Sequence, residues 1–171
     1  MEYIKQLAAI MLLTLMVTPS FAHDMKHMGD DDDTIKVVYQ CDFADPKRVH
    51  LMLNTLNNAV KYYQKKMIDY QIDIVALGPC LQYVMKDFKG TGFAKKPYID
   101  HGGPTGAGTE SRIRALKQLA GDNIQMFACN NTMKKKNVKP AQISDYVEVT
   151  PAGVIKAIDL QREGFAYIKI K

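Results

Sequence analysis

The chain has 171 residues, 47% hydrophobic and 24% charged, with 23 Lys and Arg against 18 Asp and Glu. That length suits one domain with a real core, and the mixed charge and apolar content exclude a disordered chain. Three cysteines are too few for a disulfide-framework module, and no run reaches the roughly 18–20 apolar residues of a membrane span.

Residues 7–17 form an uncharged apolar run preceded by Lys5 and followed by Thr18-Pro19-Ser20-Phe21-Ala22. A short hydrophobic segment, a helix-breaking proline and small residues at 20 and 22 describe a secretory signal peptide over residues 1–22. An exported protein, periplasmic in a bacterium, is expected, with no membrane association after cleavage. Cleavage removes Glu2 and Lys5 together, so the formal charge of +5 is kept. In an exported chain that charge suits small anions or an acidic surface, and no basic-aromatic interleaving marks a nucleic-acid platform. Nucleic acid is excluded as a partner.

Residues 23–33 then read as a solvated tail, ending in the run Asp30–Asp33. His23 and His27, with Met25 and Met28 beside them, have the donor types that hold copper. A short flexible tract offers few fixed ligands, so metal binding by this tail is the alternative reading. No resident cofactor is expected.

From residue 34 onward the pattern alternates. Ile35–Cys41 is β-rich, and Asp45-Pro46 supplies an N-cap followed by proline in the first helical turn. Val49, Met52, Leu53, Leu56 and Val60 mark the buried stripe of that helix. Ile72–Leu77 is a second strand, stopped by Gly78-Pro79. Leu81, Val84, Met85 and Phe88 repeat at helical spacing and predict a helix over 80–88.

Residues 89–109 hold six glycines and two prolines, a loop longer than most connections. It contains neither Gly-x-x-x-x-Gly-Lys-Ser/Thr nor Gly-x-Gly-x-x-Gly, so it is no phosphate cradle, and its His101 is a lone loop histidine. His50, inside the first helix, has no partner in sequence and looks structural. Ile113, Leu116 and Leu119 give the next helix, closed by Gly121. Ile124–Cys129 is the third strand, with Asn130 or Asn131 capping a short helix through Lys136. Val147–Val149 is a brief fourth strand. Thr150-Pro151 starts a helix whose buried stripe is Val154, Ile155 and Ile158, ended by Gly164, and Phe165–Ile170 is the fifth strand. Strands alternating with helices predict a three-layer α/β/α domain over residues 34–171, with a mostly parallel five-stranded sheet.

The chemistry rests on where the cysteines fall. Cys41, Cys80 and Cys129 each lie at or just past the carboxyl end of a predicted strand, the edge where ligands gather in open parallel sheets. None forms Cys-x-x-Cys, against a thioredoxin-like motif and most structural zinc sites. Cys129 precedes a helix N-terminus, with Lys134, Lys135 and Lys136 within two turns; both features favour a thiolate or a bound sulfur anion, with Asn130, Asn131 and Lys134 as candidate anion-binding residues. The competing reading is a small buried apolar side chain. Cys41 and Cys80 are accessory thiols: two of the three could pair in an oxidising compartment, or serve as a resolving or relay pair for Cys129, and the sequence leaves both open. Triad hydrolysis has no support, since Gly-x-Ser-x-Gly is absent.

Several strings resemble the DsrE/DsrF family: Lys36-Val-Val-Tyr39, the Asp45-Pro46 helix start, Val75-Ala-Leu-Gly-Pro79, Phe127-Ala-Cys-Asn-Asn-Thr-Met133, Val149-Thr-Pro-Ala-Gly-Val154 and Glu163-Gly-Phe-Ala-Tyr-Ile168. The likeness spans residues 35–171 and is greatest to the exported, single-domain branch, with the 89–109 segment longer than the usual connection. It implies an α/β/α fold and homo-oligomers, commonly trimers or hexamers. It also implies that a cysteine at the position of Cys129 carries sulfur as a persulfide between sulfurtransferases. The expected function is therefore a sulfane-sulfur carrier or transferase, whose partners are a sulfur donor or acceptor protein or a small sulfur compound.

Overall fold

Five runs of alternating or continuous apolar residues pair into one sheet: β1 (Ile35–Cys41), β2 (Tyr70–Ala76), β3 (Ile124–Cys129), β4 (Glu148–Thr150) and β5 (Ala166–Lys169). In this computed structural model, which describes residues 33–94 and 108–171, the strand order is β4-β3-β2-β1-β5. All four pairings are parallel, with registers such as Val37 opposite Ile72 and Ile74 opposite Met126. The described helices are α1 (Pro46–Lys66), α2 (Thr109–Ala120), α3 (Asn130–Lys135) and α4 (Gly153–Arg162). The three-layer α/β/α expectation holds.

Topology explains the layers. From β1 to β4 the chain steps across the sheet in one direction, and right-handed crossovers in that direction lie on one face. After β4 it reverses and returns to the far side of β1, so α4 must cover the opposite face. Strand alternation sorts the core accordingly. Val37, Tyr39, Ile72, Ile74, Ile124 and Met126 pack with α1 and α2, whereas Val38, Val75 and Phe127 pack with Ala157 and Leu160 of α4 and with Phe165. Fully buried Leu56 or Ile72 contributes about 1.5–3 kcal/mol by leaving water.

The α1 start is as expected: Asp45 caps it, its carboxylate accepting from Lys47 N–H at 2.9 Å, and Pro46 sits at the first helical position. His50 is buried, its Nε2 2.7 Å from Thr109 Oγ1, so it ties α1 to the first residue of α2.

Four expectations are corrected. The segment after β2 is not a helix over 80–88 but a 3-10 turn at Gly78–Val84, after which the chain is extended and Met85 bridges Ile143. Every side chain from Cys80 to Met85 is buried, so the helical spacing reflected total burial and not one apolar stripe. Helix α3 is capped by Cys129 itself; Asn130 and Asn131 lie inside its first turn. In α2 the buried stripe is Ile113, Leu116 and Ala120, with Leu119 turned outward.

The fourth correction concerns α4. It begins at Gly153, two residues past Pro151, and it buries Gly153, Ala157 and Leu160. Val154, Ile155 and Ile158 instead face outward, 55%, 52% and 46% exposed. Small residues line the sheet-facing side because the helix lies close: a Cβ on Gly153 would stand 3.1 Å from Cys129 Cβ, 3.2 Å from Leu77 Cβ and 3.2 Å from Val75 Cγ1. The expected signal peptide (1–22), nearly all of the tail, and most of the 89–109 loop with His101 lie outside the described residues.

Candidate functional site

The reversal of winding direction makes the carboxyl ends of β3 and β4 a switch point, since the chain leaves β3 toward one face and β4 toward the other. Cys129 is the last residue of β3 and pairs in register with Thr150, the last of β4. The helices that follow these strands, α3 and α4, therefore both begin beside its sulfur.

Their free N–H groups converge there. Gly153 N–H donates to Cys129 Sγ at 3.2 Å. The N–H groups of Thr132 and Asn131 and the Thr132 hydroxyl also donate to it. Thr132 Oγ1 in turn accepts from Gly78 N–H at 2.9 Å, so its proton is directed at the sulfur and the turn after β2 is tied to the thiol. Burial, at 5% exposure, pushes the thiol pKa up, but these donors outweigh it and hold the pKa below the ordinary cysteine value. The thiolate is the nucleophilic form, so this environment favours reaction at sulfur.

The Lys134–Lys136 run is not among these donors. Lys134 and Lys135 are exposed, and Lys136 Nζ lies 5.5 Å from the Phe93 ring centroid. Anion stabilisation comes from backbone N–H groups, including that of Asn131, and from Thr132. Sequence reasoning missed Thr132, Gly153 and the Leu77-Gly78 turn as site residues. Thr132 and Gly153 stand inside strings already singled out, but only three-dimensional proximity gives them a role.

Of the two uses left open for Cys41 and Cys80, the structure has the disulfide. Cys41 and Cys80 are joined as a disulfide, Cα atoms 5.6 Å apart, leaving Cys129 as the free thiol. All three lie at the carboxyl edge of the sheet, yet on opposite faces: Cys41 and Cys80 belong to the core under α1, and Cys129 faces α4. His23 and His27 lie outside the described residues. Among the described residues no cluster of three or more His, Cys, Asp or Glu could hold a metal ion, and no helix is long and apolar enough to cross a membrane.

A second ionisable group occupies the α4 face. Asp73, in the middle of β2, is 1% exposed. Gln71 Nε2 donates to its Oδ1 at 3.2 Å, and Oδ2 has no hydrogen-bond partner. Burial pushes its pKa up to about 6, against the pull of Gln71 and Lys156 and with the help of Glu163 and Glu148.

A parallel α/β domain with a thiolate-stabilising cysteine at its switch point is the class these features define. The chain belongs to the DsrE/DsrF-like family, whose model matches residues 37–170; this family is commonly related to sulfur relay. A curated relative, an uncharacterized protein from Aquifex aeolicus (strain VF5), is 22% identical over 134 residues, covering 78% of this chain and 55% of the relative. The chain thus spans about half the length of that relative. Among solved structures, the protein of unknown function MTH1491 from Methanobacterium thermoautotrophicum is similar with a TM-score of 0.59 and 21% identity, over 79% of this chain and 98% of that one. The ychN protein from E. coli follows at a TM-score of 0.52 and 11% identity, over 80% and 100%. At these identities both likenesses concern the fold.

Proposed function

We propose that this protein is an exported sulfur handler in which Cys129 accepts, holds and passes on sulfane sulfur. The observation that carries the reading is the free strand-end thiol held toward its anion by donors from Gly153, Asn131 and Thr132. In the first step the Cys129 thiolate attacks the outer sulfur of a sulfane donor such as thiosulfate; a new S–S bond forms and sulfite leaves with the electron pair of the broken bond. In the second step an acceptor thiolate attacks the outer sulfur of the persulfide, and Cys129 departs as the thiolate. No net redox agent is needed. The same donors that hold the thiolate favour it as leaving group.

Export is supported by the 7–17 apolar run with its Pro19 and Ala22 boundary, and by the Cys41–Cys80 disulfide, a bond that persists in oxidising compartments. Homo-oligomerisation is supported by the outward apolar residues of α4 and by Tyr167 and Ile168 on the exposed edge strand β5; the trimer or hexamer is what the family resemblance implies. The partners are a sulfur donor or acceptor protein, or a small sulfur compound.

Intact mass spectrometry after incubation with thiosulfate or polysulfide tests the reading. Adducts of whole sulfur atoms are expected on wild type and not on Cys129→Ser. Wild type without adducts, or adducts that persist in Cys129→Ser, would remove Cys129 as the carrier.

A further inference from the structure

We infer that the Cys41–Cys80 disulfide is a brace for the reactive thiol, acting across the sheet through the Leu77-Gly78 turn and Thr132. The inference deepens the sulfur-carrier reading and takes from it only that Cys129 is the working thiol.

The connection is made of short contacts. Leu77 N–H donates to Cys41 O at 2.9 Å, and Cys80 N–H donates to Leu77 O at 3.2 Å, so the turn is held between the two half-cystines. Cys41 ends β1, and Cys80 lies two residues past Gly78, so the covalent link fixes both sides of this turn. Gly78 has φ of +54°, a left-handed conformation that glycine adopts at little cost and that aims its N–H at Thr132 Oγ1. With that acceptor position filled, the hydroxyl proton of Thr132 is left for Cys129 Sγ. The turn also sets the second donor. Leu77 Cβ is one of the three atoms that close around Gly153, whose N–H reaches the sulfur.

Two of the thiolate's donors are thus located by one turn, and that turn is located by the disulfide. Thr132 and Leu77-Gly78 are positioning residues: they act on sulfur chemistry through Cys129. Cys41 and Cys80 are 0% and 2% exposed, so the brace is shielded from thiols in solution. Its role is to keep the thiol acidic.

The pH profile of Cys129 alkylation by iodoacetamide reads this directly, because a merely structural bond would leave the midpoint unmoved. In Cys41→Ala/Cys80→Ala and in Thr132→Val the midpoint should rise by about one pH unit, about tenfold slower alkylation near neutral pH. Thr132→Ser keeps the hydroxyl and should keep the wild-type profile. Combined with Thr132→Val, the loss of the disulfide should add less than its full shift, since the Thr132 hydroxyl is already gone and only the Leu77 contact with Gly153 remains to be loosened. An unchanged profile in the folded Cys41→Ala/Cys80→Ala variant overturns the inference. So does a full further shift on the Thr132→Val background. Should the double alanine variant fail to fold, Thr132→Val tests the middle link alone, and an unmoved midpoint there refutes it. A braced profile on a protein that takes up no sulfur would sink the carrier reading and leave the brace standing.

Discussion

Replacing Asp73 by asparagine should stabilise the protein at neutral pH and leave it nearly unchanged in acid. The carboxyl sits in the central strand with one oxygen unpartnered, and its pKa is pushed from 3.8 up to about 6. The folded protein therefore binds this proton more tightly than the unfolded chain does. Stability from the group is fully present below pH 3.8, falls as pH rises, and is lost once pH has passed about 6. At about 1.4 kcal/mol per pH unit the whole swing is at most ~3 kcal/mol. Relaxation around the ionised carboxylate, with Lys156 nearby, reduces this to roughly 1–2 kcal/mol. Asparagine keeps an acceptor for Gln71 and stays neutral throughout, so Asp73→Asn escapes the decline. Urea unfolding of both proteins at pH 4 and pH 8 isolates the effect, because every other titrating group is shared. A gain in urea midpoint of roughly 0.5–1 M is expected at pH 8 and close to none at pH 4. Equal differences at the two pH values would refute the placement of a neutral-preferring carboxyl under α4.

Two further outcomes follow from packing. Gly153→Ala should cost about 1–3 kcal/mol in urea unfolding, because its Cβ would press on Cys129, Leu77 and Val75. The same change should raise the Cys129 alkylation midpoint by moving an N–H off the sulfur, and an unaltered midpoint would count against Gly153 as a donor. On the outer side of α4, Ile155→Glu with Ile158→Glu should convert the proposed oligomer to monomer in light scattering. Monomer stability should stay within about 0.5 kcal/mol per substitution, as both side chains face outward. A monomeric wild type, or an oligomer that tolerates both charges, would remove this face as the contact.

The fold was legible because local signals agreed with the long-range arrangement. Asp45-Pro46 announced α1, and its stripe from Val49 to Val60 is the buried one. The strand at Ile124–Cys129 has the bounds its residues suggest. Legibility failed where periodicity was ambiguous between burial on one side and burial on all sides, as at Cys80–Met85. It failed again in α4, where large apolar residues outbid small ones as the supposed core. The residues at the sheet there are Gly153, Ala157 and Leu160, and at Gly153 closeness to Cys129, Leu77 and Val75 leaves no room for a side chain. Cys129 was legible as a strand-end residue before a helix. Its surroundings were not, since the donors at Asn131, Thr132 and Gly153, and the Gly78 N–H that orients Thr132, come from three separate segments that only the sheet brings together.

The alternation of side chains along β1 and β3 has a consequence for keeping two kinds of sulfur in one small molecule. A thiolate exchanges with a disulfide by direct attack on one of its sulfur atoms. Cys41 points into the core under α1 and Cys129 points toward α4, so the sheet itself stands between attacker and target. The backbone layer acts as insulation. An oxidising environment can then close one pair permanently while the remaining thiol, or a persulfide on it, is not consumed by shuffling within its own chain.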